Sequence, residues 1–202
     1  MKKIVITGGP CAGKSSALSV IKERMMSKGY KVLCIPETAT ELIQGGITPW
    51  NAPSALQFQI WLSTLQLAKE AVYEDIAKQY KEEVLLVCDR GLLDNRAYLT
   101  EEEYKVYLGK LGLSTQEIMK RYDAIFHLES AACGAQEFYT TENGSVRTET
   151  IEQAKQLDQR HKEIAQAHPC FKAIGNEGTF EDKLNHLIEK IEEVLEGEKY
   201  VE

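Results

Sequence analysis

The sequence predicts an α/β domain in which helices cover both faces of a parallel β-sheet. Apolar runs of strand length alternate with longer segments of helical spacing, a pattern typical of parallel sheets with crossover helices. The predicted strands are residues 4–7, 31–36, 84–88, 122–128 and 170–174. At 202 residues the chain has the length of one domain, so we expect a single unit over residues 1–202.

A glycine-rich turn at residues 8–15 joins the first predicted strand to the first predicted helix. It reads Gly-Gly-Pro-Cys-Ala-Gly-Lys-Ser and matches G-x-x-x-x-G-K-[ST]. Gly8 and Gly13 allow backbone N–H groups to surround a phosphate, to which the helix N-terminus adds its dipole. Lys14 is then expected to reach the β- and γ-phosphates, and the Ser15 hydroxyl to bind Mg²⁺. An ordinary glycine turn is the alternative, which the flanking strand and helix disfavour.

The motif indicates a P-loop NTPase, so we expect a three-layer domain with a five-stranded parallel sheet in the kinase-like order 2-3-1-4-5. The predicted nucleotide-binding residues of the loop are Gly8, Gly9, Pro10, Cys11, Ala12, Gly13, Lys14, Ser15 and Ser16. Asn176, in the loop after the last predicted strand, is the candidate for contact with the base. No N/T-K-x-D motif for guanine is present, so ATP is the expected nucleotide, with GTP as the alternative.

Composition narrows the possible partners. The formal net charge of −7 disfavours nucleic acid and anionic membranes, because both favour a basic surface. No signal peptide precedes the first strand, and no apolar run has the length of a membrane span. The five cysteines are odd in number and have no paired metal spacing. We therefore expect a globular cytoplasmic protein with reduced thiols.

Acidic residues follow the second and third predicted strands, at the edge of the sheet where ligands bind. Glu37 is a candidate for accepting a proton from an acceptor hydroxyl or holding metal-bound water, and Glu41 is the second candidate. An acid that only complements a helix dipole is the alternative. Asp89 is expected to hold Mg²⁺ together with Ser15, and Arg90 to neutralise phosphate charge. A surface Asp-Arg pair is the alternative there.

A long helix is predicted over residues 54–80. Its predicted buried stripe comprises Phe58, Trp61 or Leu62, Leu65, Ala68, Val72 and Ile76. Gln59, Gln66 and Glu70 lie on an adjoining line, where such residues are usually solvated. The alternative is that they face a substrate and bind it through hydrogen bonds.

A lid-like insertion is predicted over about residues 131–165. Residues 131–144 have no helical period, and a charged helical pattern follows from residue 147. Arg147 and Arg160 would close over the phosphates and exclude water, as lids do. A surface helix with ordinary charge pairs is the alternative. His127, inside the fourth predicted strand, is expected to be a packed core residue.

Several segments together resemble one known family. They are the phosphate loop and residues 36–41, 58–59, 88–94, 134–139 and 158–160. The pattern resembles the AAA-type ATP-binding domain family that includes the kinase domain of NadR and the TRPL translocation-defect proteins, from residue 3 to about residue 191. The chain has no acid-acid Walker B pair and lacks the length for a small helical lid domain, so the resemblance does not imply a hexameric motor.

A second similarity is to deoxynucleoside and thymidylate kinases. In those enzymes a base Glu follows the second strand, a Phe-Gln pair on the next helix reads the nucleoside, and an acid-Arg pair ends the third strand. Glu37, Phe58-Gln59 and Asp89-Arg90 occur here in that order, although Thr38 stands where those kinases have proline. The NadR resemblance implies ribosylnicotinamide as one acceptor.

These observations predict a kinase that transfers the γ-phosphate of ATP, with Mg²⁺, to a small nucleoside-like acceptor. The predicted catalytic residues are Lys14, Glu37, Asp89, Arg90 and Arg147. The alternative is a nucleotide-dependent switch that hydrolyses ATP or GTP slowly and acts through a partner.

Overall fold

The computed structural model describes residues 1–133 and 150–197. Its strands are β1 (Lys2–Thr7), β2 (Lys31–Ile35), β3 (Val84–Asp89), β4 (Ala124–Leu128) and β5 (Phe171–Ile174). Its α-helices are α1 (Lys14–Ser27), α2 (Thr38–Gln44), α3 (Ala55–Ala77), α4 (Glu101–Leu111), α5 (Thr115–Met119), α6 (Ile151–Ala165) and α7 (Phe180–Glu196). A 3₁₀ helix, Leu92–Tyr98, follows β3.

The five strands form one parallel sheet in the order β2-β3-β1-β4-β5, which confirms the predicted fold class. The register pairs Ile6 of β1 with Asp89 of β3, and Thr7 of β1 with His127 of β4. The carboxyl ends of the three central strands therefore meet at one edge, directly beside the phosphate loop. His127 is buried, as expected.

Side chains of β1 alternate between two cores on opposite faces of the sheet. Ile4 and Ile6 pack in a cluster that includes Ile21 of α1 and Ile191 of α7. Val5 points to the other face, where it joins a cluster formed with the segments around α4 and α5. The domain thus has the three predicted layers. Within residues 1–133 and 150–197, none of the helices combines the length and the apolar character that crossing a bilayer requires.

Helix α3 is oriented differently from its predicted amphipathicity. Trp61, Leu65, Val72 and Ile76 of the predicted buried stripe are exposed, and so is Ala68. Phe58 and Leu62 are buried as expected. The prediction of a continuous apolar inner face is therefore wrong.

The inner face of α3 is mixed rather than apolar, because Gln59, Ser63, Gln66 and Glu70 are buried together with Phe58, Leu62 and Ala77. Glu70 accepts hydrogen bonds from Lys3 Nζ (3.0 Å), Arg121 Nη2 (2.9 Å) and the Tyr122 hydroxyl (2.8 Å). A buried charge is tolerated when it is paired and hydrogen-bonded, and these partners come from distant parts of the chain. This network and the buried apolar residues of α3 together fix which side of the helix faces the sheet.

Candidate functional site

The phosphate loop adopts a conformation that requires its glycines. Gly8 has φ 145° and Gly13 has φ 84°, both in the region that favours glycine. A Cβ on Gly8 would lie 2.1 Å from the Leu128 carbonyl oxygen, and one on Gly13 would lie 2.6 Å from the Phe180 ring. Cys11 also has a positive φ, of 55°, without being glycine. The loop is therefore held in a strained shape by its surroundings.

Lys14 occupies the first turn of α1 and folds back over the loop. Its Nζ donates to the carbonyl oxygens of Gly8 and Gly9, at 3.3 Å each. Burial, with a further contribution from Arg90, lowers the pKa of Lys14 to about 8, although Asp89 opposes the shift. Burial disfavours the charged form of Lys14, and an anion bound in the loop would favour that form again.

A carboxylate on α6 anchors the start of the loop. Asp158 Oδ1 accepts hydrogen bonds from the backbone N–H groups of Gly9 (2.7 Å) and Ser130 (3.1 Å). His127 Nε2 lies 3.4 Å from the same carboxylate. Burial would raise the pKa of Asp158, but His127 and the two N–H donors lower it overall. Residues 10–16 of the loop line the adjoining cleft, whereas Gly8 and Gly9 are not part of its wall.

A buried lysine on α7 anchors the other side of the loop. Lys183 Nζ donates to the Ala12 carbonyl (3.2 Å), the Glu129 carbonyl (2.6 Å) and Asn176 Oδ1 (2.8 Å). Burial lowers the pKa of Lys183 to about 8. This cation ties together the phosphate loop and the loops that follow β4 and β5.

Asn176 lines the cleft, and its side chain is fully engaged. Nδ2 donates to the carbonyl oxygens of Ser130 (2.8 Å) and Cys133 (2.7 Å), while Oδ1 accepts from Lys183. The contact of Asn176 with a base stays a prediction. The hydrogen bonds of its side chain hold the loop after β5 against the loop after β4.

The cleft beside the phosphate loop has a volume of about 1500 Å³. It is lined by the loop, by the first turns after β2 and β3, by one end of α3 and by the start of α7. All the described members of the predicted catalytic set line it: Lys14, Glu37, Asp89 and Arg90. Arg147 lies outside the described residues. Arg160 lies on α6, where its Nη2 donates to the Leu99 carbonyl at 3.2 Å.

Glu37 and Arg90 form an ion pair inside the cleft. Arg90 Nε donates to Glu37 Oε1 at 2.7 Å, and the Thr40 hydroxyl donates to Oε2 at 2.6 Å. Burial alone would raise the pKa of Glu37, but Arg90 and Lys14 outweigh burial and lower it. Glu37 is therefore a carboxylate at neutral pH.

The backbone of Arg90 is held in the left-handed region, at φ 67°. Its N–H donates to the Ile6 carbonyl (3.0 Å), and its carbonyl accepts from Gln66 Nε2 (3.1 Å). A non-glycine residue in this region costs free energy and is enriched at functional sites. β1 and α3 together impose the conformation that turns the guanidinium toward Glu37.

Asp94, which the sequence left unassigned, is the second acidic partner of Arg90. It accepts from Arg90 Nη1 (3.3 Å), from the Gly91 N–H (2.8 Å) and from the Thr7 hydroxyl. His161 Nδ1 lies 3.2 Å from Asp94, and His161 Nε2 lies 3.3 Å from Arg90. Burial opposes ionisation of Asp94, but His161 and Arg90 hold its pKa well below the usual range. Asp94 and His161 therefore fix the position of Arg90.

Asp89 is the last residue of β3, and its carboxylate differs from the paired carboxylates of Glu37 and Asp94. Its Oδ1 is buried and has no hydrogen-bond partner among the residues that the structure describes. Burial raises the pKa of Asp89 to about 6, against the attraction of Lys14. No group of three or more His, Cys, Asp or Glu side chains within the described ranges is arranged to hold a metal. The unpartnered Oδ1 of Asp89, on the same cleft as Ser15, fits a cation that takes its other ligands from phosphate and water, as Mg²⁺ does.

The end of α3 that borders the cleft contributes a second unpartnered polar atom. Gln59 is buried, and its Oε1 has no hydrogen-bond partner in the described part of the chain. Phe58 lies beside it, also on the cleft wall. Gln66 and Glu70 are buried as well, so the expectation that this line of residues is solvated is wrong. Of these three residues, Gln59 is the one whose side-chain oxygen is fully buried and has no partner among the described residues.

Sequence reasoning missed four residues that organise the site: Asp94, Asp158, His161 and Lys183. Asp158 and His161 lie three residues apart on α6 and therefore project from one face of that helix. Lys183 precedes the buried Leu187 by four residues, which places it on the inward stripe of α7. A lysine on an inward stripe is the one signal in the sequence that could have indicated a buried cation.

Sheet order, strained loop and clustered charges define a P-loop NTPase domain with a kinase-like fold. The family described as an AAA domain matches residues 3–183, and the chain belongs to this family. Among solved structures, a deoxyadenosine kinase from M. mycoides with bound dATP is similar, with a TM-score of 0.63 and 16% sequence identity. The match covers 95% of this chain and 100% of that one. No curated protein matches the sequence.

Proposed function

We propose that the protein is a kinase that transfers the γ-phosphate of ATP to a small, nucleoside-like acceptor. The observation that carries this proposal is the size and lining of the cleft. At about 1500 Å³ it exceeds the roughly 300–1000 Å³ of a single-ligand pocket. One part is bordered by the phosphate loop, and another by Phe58 and Gln59. A donor nucleotide and an acceptor would therefore fit side by side.

The donor half follows from the phosphate loop. Backbone N–H groups ahead of α1 and the helix dipole favour the triphosphate, and Lys14 would exchange its two carbonyl contacts for phosphate oxygens. ATP is the expected donor, and GTP is the alternative. Ser15 and Asp89 would hold Mg²⁺, which neutralises phosphate charge when bound.

The acceptor half depends on Glu37, Arg90 and Gln59. Glu37 would accept a hydrogen bond from the attacking hydroxyl and take its proton as transfer proceeds. Arg90 holds that carboxylate and places positive charge near the transferring group. Gln59 Oε1 requires a donor, so the acceptor would present an N–H or O–H group to it. Deoxyadenosine and ribosylnicotinamide both do so.

Arg147 and the lid-like insertion over residues 131–165 stay part of the proposal. A cation arriving from that segment would add charge to the phosphates and close the cleft to water. Within the described residues, the segment ends in α6, whose Asp158 and His161 already contact the two halves of the site.

The proposal is tested with Glu37→Gln and the matched variant Glu41→Gln, one helical turn away. ADP release from ATP is measured with a panel of nucleosides that includes deoxyadenosine and ribosylnicotinamide, and ATP affinity by calorimetry. Glu37→Gln should lower acceptor-dependent release by about 100-fold or more and leave ATP affinity within about threefold. Glu41→Gln should change neither. Indifference of the wild-type protein to every acceptor would favour the switch instead.

A further inference from the structure

Three consecutive carbonyl groups of the phosphate loop are held by hydrogen bonds from other parts of the chain. They belong to Pro10, Cys11 and Ala12. Their donors are, in the same order, the Ser130 hydroxyl, the Ala131 N–H and Lys183 Nζ. Two of these donors lie in the loop after β4 and the third lies on α7. The orientation of three successive peptide groups is therefore fixed from outside the phosphate loop.

The direction of the carbonyls determines the direction of the amides. A trans peptide group points its C=O and the N–H of the next residue to opposite sides, and the described residues contain no cis peptide bond. Because the carbonyls of residues 10–12 are turned toward the loop after β4 and α7, the N–H groups of residues 11–13 are turned the other way. Successive N–H groups in such a turn form a concave anion site.

Lys183 is the charged donor of the three, and it has two further oxygen partners. Its Nζ donates to the Glu129 carbonyl at 2.6 Å and to Asn176 Oδ1 at 2.8 Å, besides the Ala12 carbonyl at 3.2 Å. An ammonium group has three N–H donors, so each of them meets one oxygen. The residue is 5% exposed, and the oxygens therefore replace water around the charge.

The surroundings of Lys183 Nζ favour a cation. Burial lowers the pKa of Lys183 to about 8, while Glu129 and Asp158 oppose the shift, so the ammonium form prevails at neutral pH. In that form the charge polarises the peptide group between Ala12 and Gly13. A polarised peptide group is a stronger donor at its N–H, which here belongs to Gly13.

Helix α7 holds Lys183 at a fixed place beside the phosphate loop. Thr179 and Asp182 exchange hydrogen bonds at the start of the helix, from each backbone N–H to the side chain of the other residue. Residues 180 and 183 are three apart and lie on one face of the helix. The Phe180 ring packs against Gly13, where an added Cβ would lie 2.6 Å from it. The beginning of α7 thus contacts two adjacent residues of the loop.

We propose that Lys183 is an internal cation that positions the phosphate loop for a triphosphate, in a three-oxygen site that a free monovalent cation can occupy when the lysine is removed. Carbonyl oxygens are ligands that K⁺ takes in proteins, and an ammonium ion needs the same acceptors as Lys183 Nζ. The inference rests on the proposed function only in assuming that the loop binds the phosphates of ATP.

The first test compares ATP binding in two salts of equal ionic strength by calorimetry. Lys183→Ala removes the cation and leaves a polar cavity. With tetramethylammonium chloride, whose cation is larger than the ammonium group of lysine, the variant should bind ATP with Mg²⁺ about 10- to 100-fold more weakly than the wild-type protein. Ammonium or potassium chloride should restore affinity, about tenfold at about 100 mM if the ion binds with a dissociation constant of about 10 mM.

Two further variants serve as controls. Lys183→Met fills the space with an uncharged side chain, so it should bind ATP weakly in all three salts. Lys190→Ala removes a lysine of the same helix that pairs with Glu193 and is 31% exposed in its side chain. Lys190→Ala and the wild-type protein should bind ATP equally well and should not distinguish the salts.

Turnover provides a measurement that separates a positioning role from a general loss of folded protein. In Lys183→Ala the KM for ATP should rise about as much as the dissociation constant does, while the KM for the acceptor should stay within about twofold. A fall in kcat with both KM values unchanged would indicate a smaller folded fraction and would contradict the positioning role.

The binding results can contradict each part of the proposal. If Lys183→Ala binds ATP as tightly as the wild-type protein does, Lys183 does not position the loop. If affinity is lost and neither ammonium nor K⁺ restores it, the three oxygens do not form a cation site. Equal recovery in Lys183→Met would show that the ions act at another place.

Thermal unfolding tests the cation site without nucleotide. Ammonium should raise the Tm of Lys183→Ala by about 3 °C relative to tetramethylammonium and leave the Tm of Lys183→Met unchanged. Equal Tm values of Lys183→Ala in the two salts would overturn the cation site. A wild-type protein that binds no ATP would overturn the proposed kinase reaction instead, and the Tm comparison would still decide whether the oxygens accept a cation.

Discussion

The phosphate loop and helix α3 border the same cleft, but they are held in place by opposite means. The loop is built from backbone groups, and side chains from elsewhere, Asp158 and Lys183, bind the amides and carbonyls that face away from the cleft. Helix α3 is held by its own side chains, chiefly Glu70, which reach inward to distant cations. The charge of Glu70 is thereby neutralised inside the protein, whereas the loop keeps its remaining amides available for a ligand.

If this difference is correct, breaking the support of α3 should damage the whole fold. Glu70→Leu removes the fully buried carboxylate that pairs with Lys3 and Arg121, and breaking a buried ion pair by removing one partner costs about 3–5 kcal/mol. We expect a loss of that size in the free energy of unfolding measured with urea. Glu74→Gln is the control, because Glu74 also binds Lys3 but is partly exposed. A variant at Glu70 that costs no more than the control would contradict the assigned role.

Breaking the support of the loop should have a smaller and more local effect. Asp158→Ala leaves the N–H groups of Gly9 and Ser130 without their acceptor, which costs about 1–3 kcal/mol. ATP affinity should fall as well, because the loop loses its fixed shape. Asp158→Asn keeps an oxygen acceptor and should retain most of the stability. If ATP affinity in Asp158→Ala equals that of the wild-type protein, the loop does not depend on this anchor.

Local and distant interactions explain which features the sequence predicted. The strand, turn and helix of the phosphate loop were predicted correctly because glycine positions and helix start are encoded within about ten residues. Glu37, Asp89 and Arg90 were placed correctly in the cleft because the ends of parallel strands meet at one edge. These inferences need only the local pattern and the sheet.

The inner face of α3 was predicted wrongly because its partners are remote in sequence. Lys3 and Arg121 lie 67 and 51 residues from Glu70, so nothing near Glu70 indicates a buried carboxylate. Asp158 and His161 were missed as site residues for the same reason, since their partners are fixed only when α6 packs beside β4. Hydrophobic periodicity gives the correct side of a helix only when the opposite face has no such partners.

We expect a further effect on the free energy of unfolding from the protonation of Asp89, at the cleft edge beside the phosphate loop. Its pKa is about 6 in the fold against 3.8 for the free side chain, so the folded protein binds the proton more tightly. Stability from this group is therefore present at low pH, falls as the pH rises through about 4 to 6, and stays lower above that window.

Asp89→Asn removes this dependence. The free energy of unfolding of the variant minus that of the wild-type protein should increase as the pH is raised from about 4 to about 7. Taking the difference cancels other carboxylates, such as Glu37, whose pKa is shifted in the opposite direction. Added Mg²⁺ and ADP should then stabilise the wild-type protein more than the variant at neutral pH. A difference that does not change over this range would mean that the pKa of Asp89 is not raised in the protein without ligand.

The smallest expected effect comes from an ion pair between α3 and α2, which differs from the pairs of Glu70 mainly in its exposure to water. Lys69 Nζ of α3 donates to Glu41 Oε2 of α2 at 2.6 Å, and the Glu41 side chain is 45% exposed. Water screens such a pair, so Glu41→Gln should cost less than about 1 kcal/mol in urea unfolding and change with added salt. Glu70 makes bonds of similar length with no exposure. Equal losses at Glu41 and Glu70 would show that burial does not set the importance of these two carboxylates.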